Sequence, residues 1–320
     1  MPIAPWPHIP SLAAALAVAM LASLGPARPV AADAPLTIRV GAGANDTVST
    51  LFDAVQLGYF TSRGLDVRIQ LMTSGAAEAA AVAGGALDIA ESNVVSLSAA
   101  HLRGIPFVFI APGAQYVSTS PTTLLVCPKS STVKTGKDFS GKNIGVVALA
   151  DLSQLGPVTW IESTGGDGSS VHYVEMPAAA MVAALARGTV DAAMIPEPAL
   201  AIALAGGDSK VCAKAFDSLA PTFMLNGWIT TSDWLKKNPD AARKFRDAML
   251  EAATWANKNH QASAEIFKHY SKAPPEIIDT MTRATFAERL EPGLVQPVIN
   301  AAAKEKFIDR PFPAAEILAP

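Results

Sequence analysis

Four carboxylates stand where a chain would leave a strand: Asp46 shortly after Gly41-Ala-Gly43, Glu91 after Leu87-Asp-Ile-Ala90, Asp151 ahead of Leu152-Ser153-Gln154, and Glu197 between two prolines. Pro196 and Pro198 stiffen their segment into an extended path, which suits a fixed carboxylate. Beside these acids lie short polar clusters, Asn45-Asp46, Thr73-Ser74-Gly75, Ser92-Asn93 and Ser153. Such side chains cap helices and also hold small ligands, and both roles stay open for each cluster. Asp151 and Gln154 have capping-box spacing, although Pro157 interferes with a regular helix begun that early. The candidate ligand-binding set is Asn45, Asp46, Thr73, Ser74, Gly75, Ser92, Asn93, Asp151, Ser153 and Glu197. No Lys or Arg falls within the segments 43–47, 73–76, 91–93, 148–154, 176–178 and 196–198 that carry these residues. A multiply charged anion would find only helix ends there, so the loops favour a zwitterionic, amine-bearing or neutral ligand.

Catalytic patterns are missing. The five histidines, His8, His101, His172, His260 and His269, fall outside these loops, so no serine has a base at hand. The sequence holds no Gly-x-Ser-x-Gly elbow, no His-Glu-x-x-His site and no Walker loop, and Gly41-x-Gly43 lacks the third glycine of a dinucleotide fingerprint. Cys127 and Cys212 are too far apart for a zinc ribbon or a redox pair of the Cys-x-x-Cys kind. The expectation is a binding protein with no catalytic residue, no metal and no cofactor.

The elements that position these loops repeat. Leu36 to Val40 reads as a strand, Thr50 to Tyr59 as a helix and Leu65 to Met72 as a second strand. An alanine-rich helix from Ser74 closes at Gly84-Gly85 before a short strand at Leu87 to Ala90. The same order returns with Asn143 to Ala148, a helix to about Thr164, Val171 to Glu175, a second alanine-rich helix from Pro177, and Val190 to Met194. Gly85-Ala-Leu-Asp88-Ile-Ala recurs as Gly188-Thr-Val-Asp191-Ala-Ala. Strands alternating with helices imply two α/β lobes with parallel sheets, and ligands sit beyond the carboxyl ends of such strands. After the second copy, Asn238-Pro239 starts a helix whose buried face is Phe245, Met249, Ala252 and Ala256, with further helices expected at 261–270, 275–290 and after Gly293.

Composition agrees with two compact domains: 320 residues, 50% hydrophobic and 17% charged. The 28 acids and 25 bases are interspersed, which leaves no basic stripe for nucleic acid. The uncharged run Leu12 to Leu24 is too short to span a bilayer and reads as a signal-peptide core, with Val30-Ala31-Ala32 placing cleavage before Asp33. Its leading segment carries no Lys or Arg. An exported, periplasmic product is expected, in a compartment where Cys127 and Cys212 either pair or stay as separate buried thiols.

Several stretches resemble the nitrate/sulfonate/taurine type of solute-binding protein from ABC importers. They are Asp53-Ala-Val-Gln-Leu-Gly58-Tyr-Phe60, Gly64-Leu-Asp66-Val, Ser74-Gly75, Gly85-x-Leu-Asp88-Ile-Ala, Asp138-Phe-Ser-Gly141-Lys-Asn-Ile-Gly145-Val, and Gly188-x-Val-Asp191-Ala-Ala through Glu197-Pro198. The resemblance implies a type II periplasmic-binding fold, two doubly wound α/β lobes joined by a hinge with two crossovers that close on a small-molecule ligand. By analogy the chain crosses near Pro121 to Cys127 and returns near Ala220 to Trp228. Residues 1–32 are then the signal peptide, 33–120 with 221–320 lobe one, and 121–220 lobe two. Neighbouring crossover strands would make a Cys127–Cys212 disulfide feasible. The implied partner is an ABC permease, and the implied state is a monomer. The family also includes binders of thiamine-precursor pyrimidines; the cysteine-rich motif of the related pyrimidine-making enzyme is missing here. An exported enzyme using the same cleft is the alternative from another class.

Overall fold

The computed structural model describes residues 1–2, 34–72 and 75–320. Thr73, Ser74 and, apart from its first two residues, the expected signal peptide lie outside them. Alternation at Ile38-Arg39-Val40 buries the two aliphatic side chains and leaves Arg39 outside. This strand, β1 (Leu36–Ala42), pairs in parallel with β2 (Leu65–Leu71) and with β3 (Ile89–Asn93). With β4 (Phe107–Pro112) and β12 (Asn226–Thr231) they form a five-stranded sheet of order β2-β1-β3-β12-β4. Helices α1 (Ser49–Gln56), α2 (Gly75–Ala83) and α3 (Val94–Leu102) connect the first four strands.

The second sheet repeats this plan. It contains β6 (Thr123–Pro128), β7 (Asn143–Val146), β8 (His172–Glu175), β9 (Ala192–Pro196) and β10 (Ser209–Ala213) in the order β10-β6-β9-β7-β8. Helices α4 (Leu152–Ser163), α5 (Ala178–Ala186) and α6 (Ala199–Ala205) link β7 through β10. The sheets are mixed rather than parallel, because β12 runs antiparallel to β3 and β4, and β6 antiparallel to β9 and β10. Each reversed strand is entered from a crossover, and periodicity carries no information about strand direction.

The repeated glycine and aspartate have structural duties. Gly85 and Gly188 both adopt left-handed backbone, φ +73° and +68°, where a side chain would be strained. Three residues on, Asp88 accepts from the Arg39 N–H at 2.8 Å and Asp191 from the Asn143 N–H at 2.9 Å, tying the third strand of each repeat to the first, β3 to β1 and β9 to β7. Arg39 and Lys142 add ion pairs to the same two carboxylates.

A third sheet, made from β5 (Ala114–Val117), β11 (Thr222–Met224) and β13 (Thr285–Phe286), has the order β11-β5-β13 and stands at the crossovers. Cys127 and Cys212 form a disulfide across β6 and β10. The register slips between Val211 and Ala213, so Cys212 is the extra residue of a bulge.

The tail comprises α7 (Ser232–Lys237), α8 (Pro239–Lys258), α9 (His260–Lys268), α10 (Pro275–Thr280) and α11 (Pro292–Lys304). Phe245, Met249, Ala252 and Ala256 of α8 are all buried, and Phe245 packs on Phe60 and Trp228 with ring centroids 5.3 and 5.9 Å away. Asn238 occupies the N-cap but makes no cap bond with its side chain, which donates to the Trp234 carbonyl in the preceding helix instead. The helix expected over 275–290 ends at Thr280. Beyond it, Ala284 donates to Asp46, and Thr285 and Phe286 pair with β5, so tertiary bonds draw this stretch out of the helix.

Candidate functional site

Two helix N-termini, one from each α/β sheet, meet through their capping side chains. Asn93 ends β3 and caps α3, its Oδ1 accepting from the Ser96 N–H at 3.0 Å. Asp151 caps α4, its Oδ1 accepting from the Ser153 N–H at 2.8 Å. The second oxygen of Asp151 accepts from Asn93 Nδ2. Burial raises the Asp151 pKa despite these donors. Pro157 lies inside α4, yet the helix begins at Leu152 as the Asp151 cap requires. Gln154 completes the turn by accepting from the Ala150 N–H at 2.7 Å.

Beside this junction runs a polar chain along the strand ends. Glu91 accepts from Asn226 Nδ2 at 2.9 Å, and the same amide nitrogen lies 3.1 Å from Thr47 Oγ1. Thr47 in turn donates through its backbone to Asn45 Oδ1 at 3.0 Å. Glu78, from the alanine-rich α2, stands next to Glu91. It is 2% exposed, and its Oε2 has no hydrogen-bond partner among the described residues. Burial, followed by the neighbouring charge of Glu91, pushes its pKa up to about 8. Glu91 is raised too, by burial first and by Asp151 in addition, against the Asn226 bond.

A strap between α10 and β13 is held from two sides. Glu197, at the end of β9, accepts from the Ala201 N–H at 3.0 Å and the Thr282 N–H at 3.3 Å. Its pKa is pushed up to about 7, chiefly by burial. Asp46 accepts from the Ala284 N–H at 2.7 Å and pairs with Arg283 at 2.8 Å. Burial outweighs Arg283 there and raises the Asp46 pKa. Behind this pair Asp53 is fully buried and accepts from Ser263 at 2.8 Å.

The structure therefore brings Asn93 and Asp151 together between the two α/β sheets and sets Glu197 against the strap at Thr282, while Asn45 and Ser153 close their own loops. Ser153 Oγ accepts from the Val147 and Ala148 N–H groups at 3.1 and 3.3 Å. Asp46 is turned inward onto the strap. Ser92 is half-buried in β3 and pairs through its backbone with Gly227, and Gly75 is the exposed first residue of α2. Sequence reasoning missed Glu78, Asn226 and Arg283. A lone carboxylate in Gly-Ala-Ala-Glu-Ala-Ala-Ala-Val-Ala was the available signal for Glu78. Asn226 and Arg283 gave none, since the first lies in a crossover and the second in an expected helix.

His101 pairs with Glu316 at 3.0 Å at the end of α3, and His172 is exposed at the start of β8. Neither touches the junction. No cluster of three or more His, Cys, Asp or Glu suited to a metal ion, and no helix long and apolar enough to cross a membrane, occurs among the described residues.

Two mixed α/β sheets, each with one reversed strand from a crossover, and a polar site where their strand ends converge, define the two-lobed periplasmic-binding fold. The chain belongs to the family described as NMT1/THI5 like, which matches residues 45–263. No protein of curated function matches the sequence. Among solved structures, it is similar to the alkanesulfonate-binding protein SsuA from Xanthomonas axonopodis pv. citri bound to MOPS, with 15% identity and a TM-score of 0.73 over 90% of this chain and 99% of that one. The ligand-binding component of an ABC-type import system from Staphylococcus aureus, with zinc bound, has 15% identity and a TM-score of 0.77, covering 89% and 97%. The desulfurization enzyme DszB has 14% identity and a TM-score of 0.65, covering 89% and 96%. At these identities the likeness is one of fold.

Proposed function

We propose that this chain is the extracytoplasmic solute-binding component of an ABC importer. It captures a small polar solute, sulfonate- or taurine-like or of similar size, between residues 33–120 with 221–320 on one side and 121–220 on the other, and delivers it to a membrane permease. The observation that carries this reading is the junction itself. Capping residues of two helices, Asn93 and Asp151, bond to each other from different sheets, and Glu197 reaches the strap at Thr282. Polar groups that must part and rejoin when the lobes move suit a hinge that closes on cargo. Among the described residues nothing at the junction pairs a nucleophile with a base, which favours carriage over turnover. Family membership and the similar folds of the alkanesulfonate-binding and import-system proteins add support.

The residues assigned to the solute are Thr73, Ser74, Gly75, Ser92, Asn93, Asp151 and Glu197; Asn45, Asp46 and Ser153 hold their own segments from within. Thermal-shift measurement of the mature protein against taurine, alkanesulfonates, nitrate, aminopyrimidines and aromatic acids tests the reading. At about a thousandfold over its dissociation constant a solute stabilises by about 4 kcal/mol. Binding without product, lost in Glu197→Ala or Ser74→Ala, is the expected result. Conversion of the bound compound to product would replace the carrier reading with an exported enzyme.

A further inference from the structure

We propose that the solute is an organic cation carrying more than one N–H donor, taken by Glu78 and Glu91 of one sheet's helix and strand ends and by Asp151 of the other. The inference rests on the junction being the solute site and adds the chemical class of the solute.

Glu78 is the starting point. Its Cγ lies 3.5 Å from where a Cβ on Gly41 would stand, which places it over the ends of β1 and β3 beside Glu91. The side chain is almost wholly enclosed, and its Oε2 has no donor among the described residues. An enclosed carboxyl oxygen without a donor is costly, and the group meets that cost by holding its proton; a donor from outside the chain would release the proton and satisfy the oxygen. Glu91 and Asp151 each already accept one amide donor, from Asn226 and Asn93. They bring two more acidic groups to the same place.

Among the described residues no basic side chain pairs with these acids. None of the ion pairs among the described residues involves Glu78, Glu91 or Asp151. Arg283 is paired with Asp46 and bonded to Ser263, on the side of the strap that faces α1 and α9. A sulfonate or nitrate at Glu78 would find no basic side chain among the described residues to pair with, whereas a bound cation draws the proton off Glu78 and pairs with the carboxylate it leaves. A metal ion is disfavoured as well, because the three carboxylates do not form a metal-ligating cluster. An organic cation with spaced donors meets both conditions, since each N–H group can answer a different carboxylate.

The test is calorimetric titration of the mature protein with 1,3-diaminopropane, agmatine and benzamidine as cations and with methanesulfonate and nitrate as anions. Solution scattering alongside reads closure. At least one cation should bind and close the lobes, and Glu78→Gln should weaken it about tenfold or more. Glu78→Asp, which keeps an ionisable carboxyl, should retain part of the affinity, and circular dichroism of both variants confirms folding. Closure on an anion with none on a cation overturns the inference and leaves the solute-binding reading intact. Cation binding that is indifferent to Glu78→Gln and Glu91→Gln also overturns it. A cation that binds through Glu78 and is consumed keeps the inference and removes the carrier reading, whereas no response to either charge class overturns both.

Discussion

Replacing Glu78 by Gln should stabilise the protein at alkaline pH and do little at acidic pH. The carboxyl has an ordinary pKa of 4.5 in the unfolded chain and about 8 in the folded one, raised by burial and by Glu91. The folded state therefore keeps a proton that the unfolded state releases between those values. Stability from this group is full below pH 4.5, falls as pH rises, and levels off above about 8. At about 1.4 kcal/mol per pKa unit the loss by pH 8 is roughly 4 kcal/mol. Gln is neutral throughout, and its amide can donate to Glu91. Denaturant unfolding of Glu78→Gln and the parent at pH 5 and pH 8 measures the difference. The variant should match the parent at pH 5 and exceed it by roughly 4 kcal/mol, or roughly 10 °C in Tm, at pH 8. An equal gap at both pH values, or a less stable variant at pH 8, would refute the burial argument.

The parent protein should behave in the same sense, because Asp53 and Glu197 are also raised, each to about 7. Its Tm should rise as pH is lowered from 8 toward 5, then fall in stronger acid as Asp88 and Asp191, whose pKa values are lowered by their partners, become protonated; a Tm that climbs from pH 5 to 8 contradicts this. Asp151→Ser keeps an N-cap for α4 but is too short to hold Asn93, so stability should change by less than about 1 kcal/mol while the radius of gyration in scattering increases. An unchanged radius would show that the Asn93 bond does not hold the sheets together. Reducing the Cys127–Cys212 bond, which spans 85 residues, should lower stability in urea by about 4 to 5 kcal/mol on the chain-entropy estimate. Identical midpoints with and without reductant would show that the bridge constrains little.

The sequence made the repeat legible because both copies solve the same local problem. A helix must stop, so Gly85 and Gly188 take left-handed backbone, and a third strand must join a first, so Asp88 and Asp191 reach back to its N–H groups. The apolar stripe of α8 was legible for a similar reason, since a 3.6-residue period survives in sequence. What failed to show is non-local. The reversed direction of β6 and β12 depends on where the chain comes from. The strap at 281–284 stays out of helix because Asp46 and Glu197, far away in sequence, accept from its N–H groups. Glu78 is a lone acid in an alanine-rich segment, which says nothing of its enclosure by the fold, and Asn226 is meaningful only through Glu91 and Thr47.

The disulfide also alters what the chain does under tension. It closes the chain from Cys127 to Cys212 into a ring that contains β7, β8, β9 and the helices α4 to α6. A pull on the two termini passes through the sulfur bridge and bypasses that ring. At about 3.4 Å per extended residue, roughly 290 Å of contour stays out of the line of force. Stretched one molecule at a time, the oxidised protein should reach its full length that much sooner than the reduced one, with most of the second sheet's strands never loaded.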